Sequence, residues 1–149
     1  MPMEQNGAAI MIRPIMRDVF FLGQKSEPAT KEDLHIGRDL QDTLQANRER
    51  CVGMAANMIG VKKNIIIVNM GIINMVMFNP VIIKRDTPYE TEEGCLSLDG
   101  VRKTIRYQNI EVEYYDFSLQ LLICFDCIYN NKNILFLHKM LASYQIIFS

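Results

Sequence analysis

The chain has 149 residues, 49% of them hydrophobic and 22% charged, with a formal net charge of −1. That is enough for one domain, 1–149, with a sizeable core, and the near-neutral balance gives no electrostatic footprint for nucleic acid or an anionic membrane. Residues 1–6 lack the basic-then-apolar pattern of an export signal, and apolar runs such as residues 121–125 fall far short of the ~20 residues that a membrane-crossing helix needs.

Residues 1–29 are mixed, with apolar pieces at 8–12 and 19–22. A helix is predicted next. Thr30-Lys31-Glu32-Asp33 has the form of a capping box with Asp in place of Glu, and Leu34, Gly37, Leu40 and Leu44 follow at spacings of three and four to about Asn47. His35 on this helix reads as a surface histidine, and the helix itself as one packed on a sheet. Residues 51–60 are rich in glycine and alanine, which lets backbone approach backbone or a ligand. Strands are predicted at 64–69, ended by Gly71, and at 75–78 and 81–83, where they flank Asn79-Pro80 as paired or bent strands. Residues 101–106 and 110–115 alternate, with Arg102, Arg106, Glu111 and Glu113 expected to face water. One strong helix ahead of a run of strands argues for an α+β domain with antiparallel sheets.

The texture changes after about Gln120. Residues 101–149 contain no glycine or proline, and Phe, Ile, Lys, Asn and Tyr fill 15 of the 29 positions in 121–149 against 36 of the first 120. These are the amino acids of A/T-rich codons, so 121–149 reads either as out-of-frame translation or as a divergent buried element. Ile134, Leu137, Leu141, Tyr144 and Phe148 fall near helical spacing, with Asn133 placed to cap them.

The chemistry-bearing stretch is Glu93-Gly94-Cys95-Leu96-Ser97. A cysteine after a glycine, ahead of an alternating strand, is a candidate thiolate ligand, although on its own it reads as a buried apolar cysteine. A catalytic metal takes about three protein ligands and an open position. The usual source of two of them, a helical His-Glu-x-x-His, is absent, and the only histidines are His35 and His138. Cys51, Cys95, Cys124 and Cys127 read as reduced thiols in a cytoplasmic protein. Cys124-Phe-Asp-Cys127 is a single pair with no second pair to complete a zinc site, and reads as chance spacing.

Over residues 10–120 the chain resembles the peptide deformylase family. Glu93-Gly94-Cys95-Leu96-Ser97 is that family's second motif intact. Its first, Gly-x-Gly-x-Ala-Ala-x-Gln, is altered: Cys51 stands for the first glycine, Gly53-Met54-Ala55-Ala56 match, and Met58 stands for the glutamine. The strand at 64–69, Asn79-Pro80, Gly100-Val101-Arg102 and the strand at 110–116 are also similar. The third motif, His-Glu-x-x-His, is missing. His138 lies about where its first histidine falls, with Lys139 at the glutamate position and Ala142 at the second histidine.

The resemblance implies antiparallel sheets around a C-terminal helix, with one helix near the N-terminus. It implies hydrolysis of the N-formyl group from N-formylmethionyl peptides of nascent chains, using iron(II), with zinc or nickel as substitutes. Carried onto this chain, Cys95 and His138 are the metal ligands and the Leu96 N–H is an oxyanion donor. Val52 and Gly53 edge the peptide, Gly94 permits a close turn, and Glu93 and Arg102 flank the methionine pocket. No general base is found, and Met58 cannot donate to an oxyanion. The metal is therefore expected to be weakly held or absent. Three readings follow: a crippled deformylase, a non-catalytic relative that binds N-terminal peptides, or a frameshifted gene remnant.

Overall fold

The computed structural model describes residues 9–70, 73–94 and 101–124. Its helical part follows directly from the cap. The Asp33 carboxylate accepts the Thr30 N–H at 2.8 Å, and the chain turns through a short 3-10 helix, Lys31–Asp33, into α2, Leu34–Ala46. Asn47 ends it, its N–H reaching the carbonyls of Thr43 and Leu44. The inward face is wider than the predicted stripe: Ile36, Gly37, Asp39, Leu40, Thr43 and Leu44 are buried, while Leu34 is only half-buried. Asp39 is tolerated there because Arg13 meets its carboxylate through Nε at 2.9 Å and Nη2 at 2.7 Å. Met11 and Arg13 also donate their backbone N–H groups to Asp42 and Thr43, so residues 11–13 run along α2. A second helix, α1, Val19–Leu22, lies in the apolar piece at 19–22. Asp18 caps it by accepting from the Phe20 and Phe21 amides.

Among the described residues, five strands form one antiparallel sheet in the order β1-β2-β3-β4-β5: β1 Gly53–Ala55, β2 Ile65–Asn69, β3 Asn74–Gly94, β4 Val101–Tyr115 and β5 Leu121–Cys124. β2 is central to the core, with Ile65, Ile66, Ile67 and Val68 fully buried, as its unbroken apolar run requires. Helix α2 packs on β1, β2 and β3. Gly37 sets how close it comes. A Cβ there would stand 2.6 Å from Phe78 Cζ and 3.0 Å from Phe117 Cε1, and those two rings meet edge to face with centroids 5.3 Å apart.

The segments at 75–78 and 81–83 are one bent strand. β3 runs through Asn79-Pro80 with register shifts between Phe78/Val81 and Ile82/Lys84. Proline cannot donate to the ladder, and Asn79 takes a left-handed conformation, φ 52°. Its side chain holds the bend by accepting the Ala29 N–H at 2.7 Å and donating to the Ala29 carbonyl at 2.9 Å. The segments at 101–106 and 110–115 are likewise one strand, because Tyr107 and Asn109 continue to pair with Pro88 and Asp86. Glu111 and Glu113 are half-buried rather than fully in water, and Glu111 Oε1 lies 3.9 Å from Lys84 Nζ. The expected C-terminal helix lies outside the described residues.

Candidate active site

Two parts of the sheet carry the expected site residues. The first is the Cys51–Gly60 loop. Val52 leads into β1, and Asn69 donates its N–H to the Val52 carbonyl at 2.8 Å, fixing the register in which Gly53, Met54 and Ala55 face Val68, Ile67 and Ile66. β1 gives way to a 3-10 helix, Ala56–Ile59, closed by Gly60 at φ 85°, a conformation that glycine adopts without strain. Met16 anchors this turn by donating to the Met58 carbonyl at 2.8 Å. Val52 is half-buried, and Gly53 and Ala55 are buried.

The second part is the far end of the β3–β4 hairpin. There Glu93 stands across the ladder from Arg102, and Gly94 across from Val101. The three residues expected to flank the pocket and its turn, Glu93, Gly94 and Arg102, thus come together in backbone register, immediately before the cysteine-bearing segment. Cys95, Leu96 and His138 lie outside the described residues. His35 is on the exposed side of α2, with Nδ1 2.8 Å from the Glu32 carbonyl, in keeping with a surface histidine. Among the described residues, no three His, Cys, Asp or Glu side chains cluster closely enough to hold a metal ion, and no helix is long and apolar enough to cross a membrane.

Sequence reasoning missed what two sulfur atoms do in the loop. The Cys51 thiol donates to the Gly53 carbonyl at 2.7 Å. The Met58 thioether accepts the Ala55 N–H at 3.4 Å. Both side chains are buried. The available signal was that Cys51 and Met58 are the positions where this segment departs from the motif it resembles.

The backbone architecture defines a class first. It superposes on a peptide deformylase from Thermotoga maritima with a TM-score of 0.74 at 22% identity, covering 92% of this chain and 93% of that one. A peptide deformylase from Ehrlichia chaffeensis in complex with actinonin gives 0.76 at 21% identity, covering 92% and 85%. The protein has the α+β deformylase fold. At the level of sequence, the polypeptide deformylase family model matches residues 13–126. A peptide deformylase of Clostridium beijerinckii is 61% identical over 106 residues, spanning 71% of this chain and 78% of that protein. One from Acidobacterium capsulatum is 30% identical over 124 residues, spanning 73% of each. The chain belongs to the peptide deformylase family, whose enzymes remove N-formyl groups from nascent peptides and use a divalent metal.

Proposed function

We propose that this chain keeps the peptide-binding framework of a deformylase but holds the metal with too few ligands for turnover at the family's rate. The observation that carries this is the histidine count. The whole sequence has two histidines, and His35 sits on the outer side of α2 with its ring nitrogen against a backbone carbonyl. Cys95 and His138 are then the only family-type donors left for the metal, against the three that a catalytic site uses. This donor set does not fit the metal.

The chain's own residues take the following roles. Val52 and Gly53 lie along an extended N-formylmethionyl peptide, which adds to β1 as a strand. Glu93 and Arg102 flank the pocket for the methionine side chain, Gly94 permits the close turn, and the Leu96 N–H donates to the developing oxyanion. Lys139 and Ala142 fill the positions of the missing glutamate and second histidine, so no residue takes up and returns the proton. Met58 supplies no second oxyanion donor. The protein works in the cytoplasm, where nascent chains are.

The end of the family match at residue 126, close to the compositional change after Gln120, supports the reading of 121–149 as out of frame or divergent. A His-Glu-x-x-His in a neighbouring frame of the gene past codon 120 would establish the frameshift, and its absence would leave divergence. A non-catalytic peptide binder is the second reading, and the regular pairing of β1 with β2 favours it over a remnant with no function.

Hydrolysis of formyl-Met-Ala-Ser with added iron(II) or nickel tests the proposal. Loss of a general base costs ~10²–10⁴ and loss of an oxyanion donor ~10²–10³, so turnover is expected at least ~10⁴-fold below that of an intact deformylase. Turnover within tenfold of an intact enzyme would contradict the proposal.

A further inference from the structure

Residues along an antiparallel ladder alternate between pairs that exchange hydrogen bonds and pairs that do not. The bond from the Asn69 N–H to the Val52 carbonyl makes Val52 and Asn69 a bonded pair. With Met54 facing Ile67, that is the next bonded pair. The N–H and C=O groups of Gly53 and Ala55 therefore point away from β2. β1 is the end strand of the described sheet, so these are the groups that an added peptide strand would use.

Two of them are already engaged by sulfur. The Gly53 carbonyl accepts the Cys51 thiol at 2.7 Å, and the Ala55 N–H is directed at Met58 Sδ, 3.4 Å away. The two contacts are not equivalent. A carbonyl has two lone pairs, so the Gly53 oxygen can accept again. An amide has one hydrogen, so Met58 occupies the Ala55 donor entirely. A thioether is also a weak acceptor, one that a peptide carbonyl displaces.

We propose that Met58 is a positioning residue that latches the outer edge of β1 through the Ala55 amide, and that an incoming N-formylmethionyl peptide must displace its sulfur to pair there. Cys51 orients the Gly53 carbonyl without blocking it. This rests on the reading of β1 as the peptide-binding edge.

The test is titration of the full chain, wild type, Met58→Leu and Cys51→Ala, with formyl-Met-Ala-Ser. Leucine keeps the apolar bulk of methionine and removes the acceptor. Met58→Leu is expected to bind about fivefold tighter, the worth of one hydrogen bond no longer competed for, with Cys51→Ala within about twofold of wild type. A side chain that served packing alone would not tighten binding on removal. Wild-type binding with equal or weaker binding by a folded Met58→Leu would overturn the inference and leave the β1 reading standing. No saturable binding by any of the three would overturn the β1 reading and the inference with it. Should Met58→Leu fail to fold, amide hydrogen exchange on the wild-type chain decides. Saturating peptide is expected to slow exchange at Ala55 about fivefold, and unchanged exchange at Ala55 would overturn the latch.

Discussion

At Gly37 the absence of a side chain decides how α2 meets the sheet. An added methyl would press on Phe78 at 2.6 Å and on Phe117 at 3.0 Å, and Phe78, buried within β3, has little room to yield. Gly37→Ala is therefore expected to destabilise by about 1–3 kcal/mol, even though alanine is the better helix former by up to ~1 kcal/mol. Urea unfolding measures it, and an unchanged or raised midpoint would show that the Phe78–Phe117 pair gives way. Tyr114 carries a different signature. Burial first, and the nearby Asp116 carboxylate second, raise its phenol above the ordinary 10.0. The folded state thus holds that proton more tightly than the unfolded chain. Its contribution is fully present below pH 10.0 and is lost as pH rises through the folded value. The melting temperature should fall above pH 10.0 more steeply in the wild type than in Tyr114→Phe, and parallel curves would count against the assignment.

Among the elements, those fixed by local signals were legible in sequence and those fixed by partners were not. The cap at Thr30 and Asp33, the stripe ending at Asn47 and the apolar run of β2 each declare themselves within a dozen residues. The four-residue α1 was not legible, because its only mark is Asp18 before four apolar residues. Nor was the continuity of β4 through residues 107–109, and at Asn79-Pro80 the sequence left paired strands and one bent strand both open. In each case a proline or a polar stretch looks like an interruption, and only the facing strand carries the ladder across it. The candidate site divides the same way. Its residue types came from motifs, whereas the placement of Glu93 opposite Arg102 needs the hairpin register, and the sulfur contacts of Cys51 and Met58 need the outward-facing edge of β1. The bend in β3 also makes a prediction. Asn79 tolerates its positive φ and makes both hydrogen bonds to Ala29. Asn79→Ala loses those bonds and strains the backbone, for an expected cost of about 2–4 kcal/mol. Asn79→Gly should recover part of that loss, because glycine adopts the left-handed region freely. Thermal unfolding of the two variants checks the order, and equal losses would mean that strain plays no part.

For the whole molecule, the proposed function separates fold from chemistry. The α+β framework is that of the peptide deformylase family, while the function proposed above has the residues beyond Gln120 leave the metal site incomplete. A protein can retain the first without the second because the sheet and α2 are held by apolar burial, from Leu40 and Leu44 across to Ile65–Val68 and Ile110, none of which needs a metal. The central claim is that this donor set is too small, and the most direct measurement is the metal content of the full chain loaded anaerobically with iron(II) and then dialysed. The account predicts well under one-tenth of a metal ion per chain, with no difference between wild type and Cys95→Ser. One tightly held ion per chain, lost in Cys95→Ser, would contradict it.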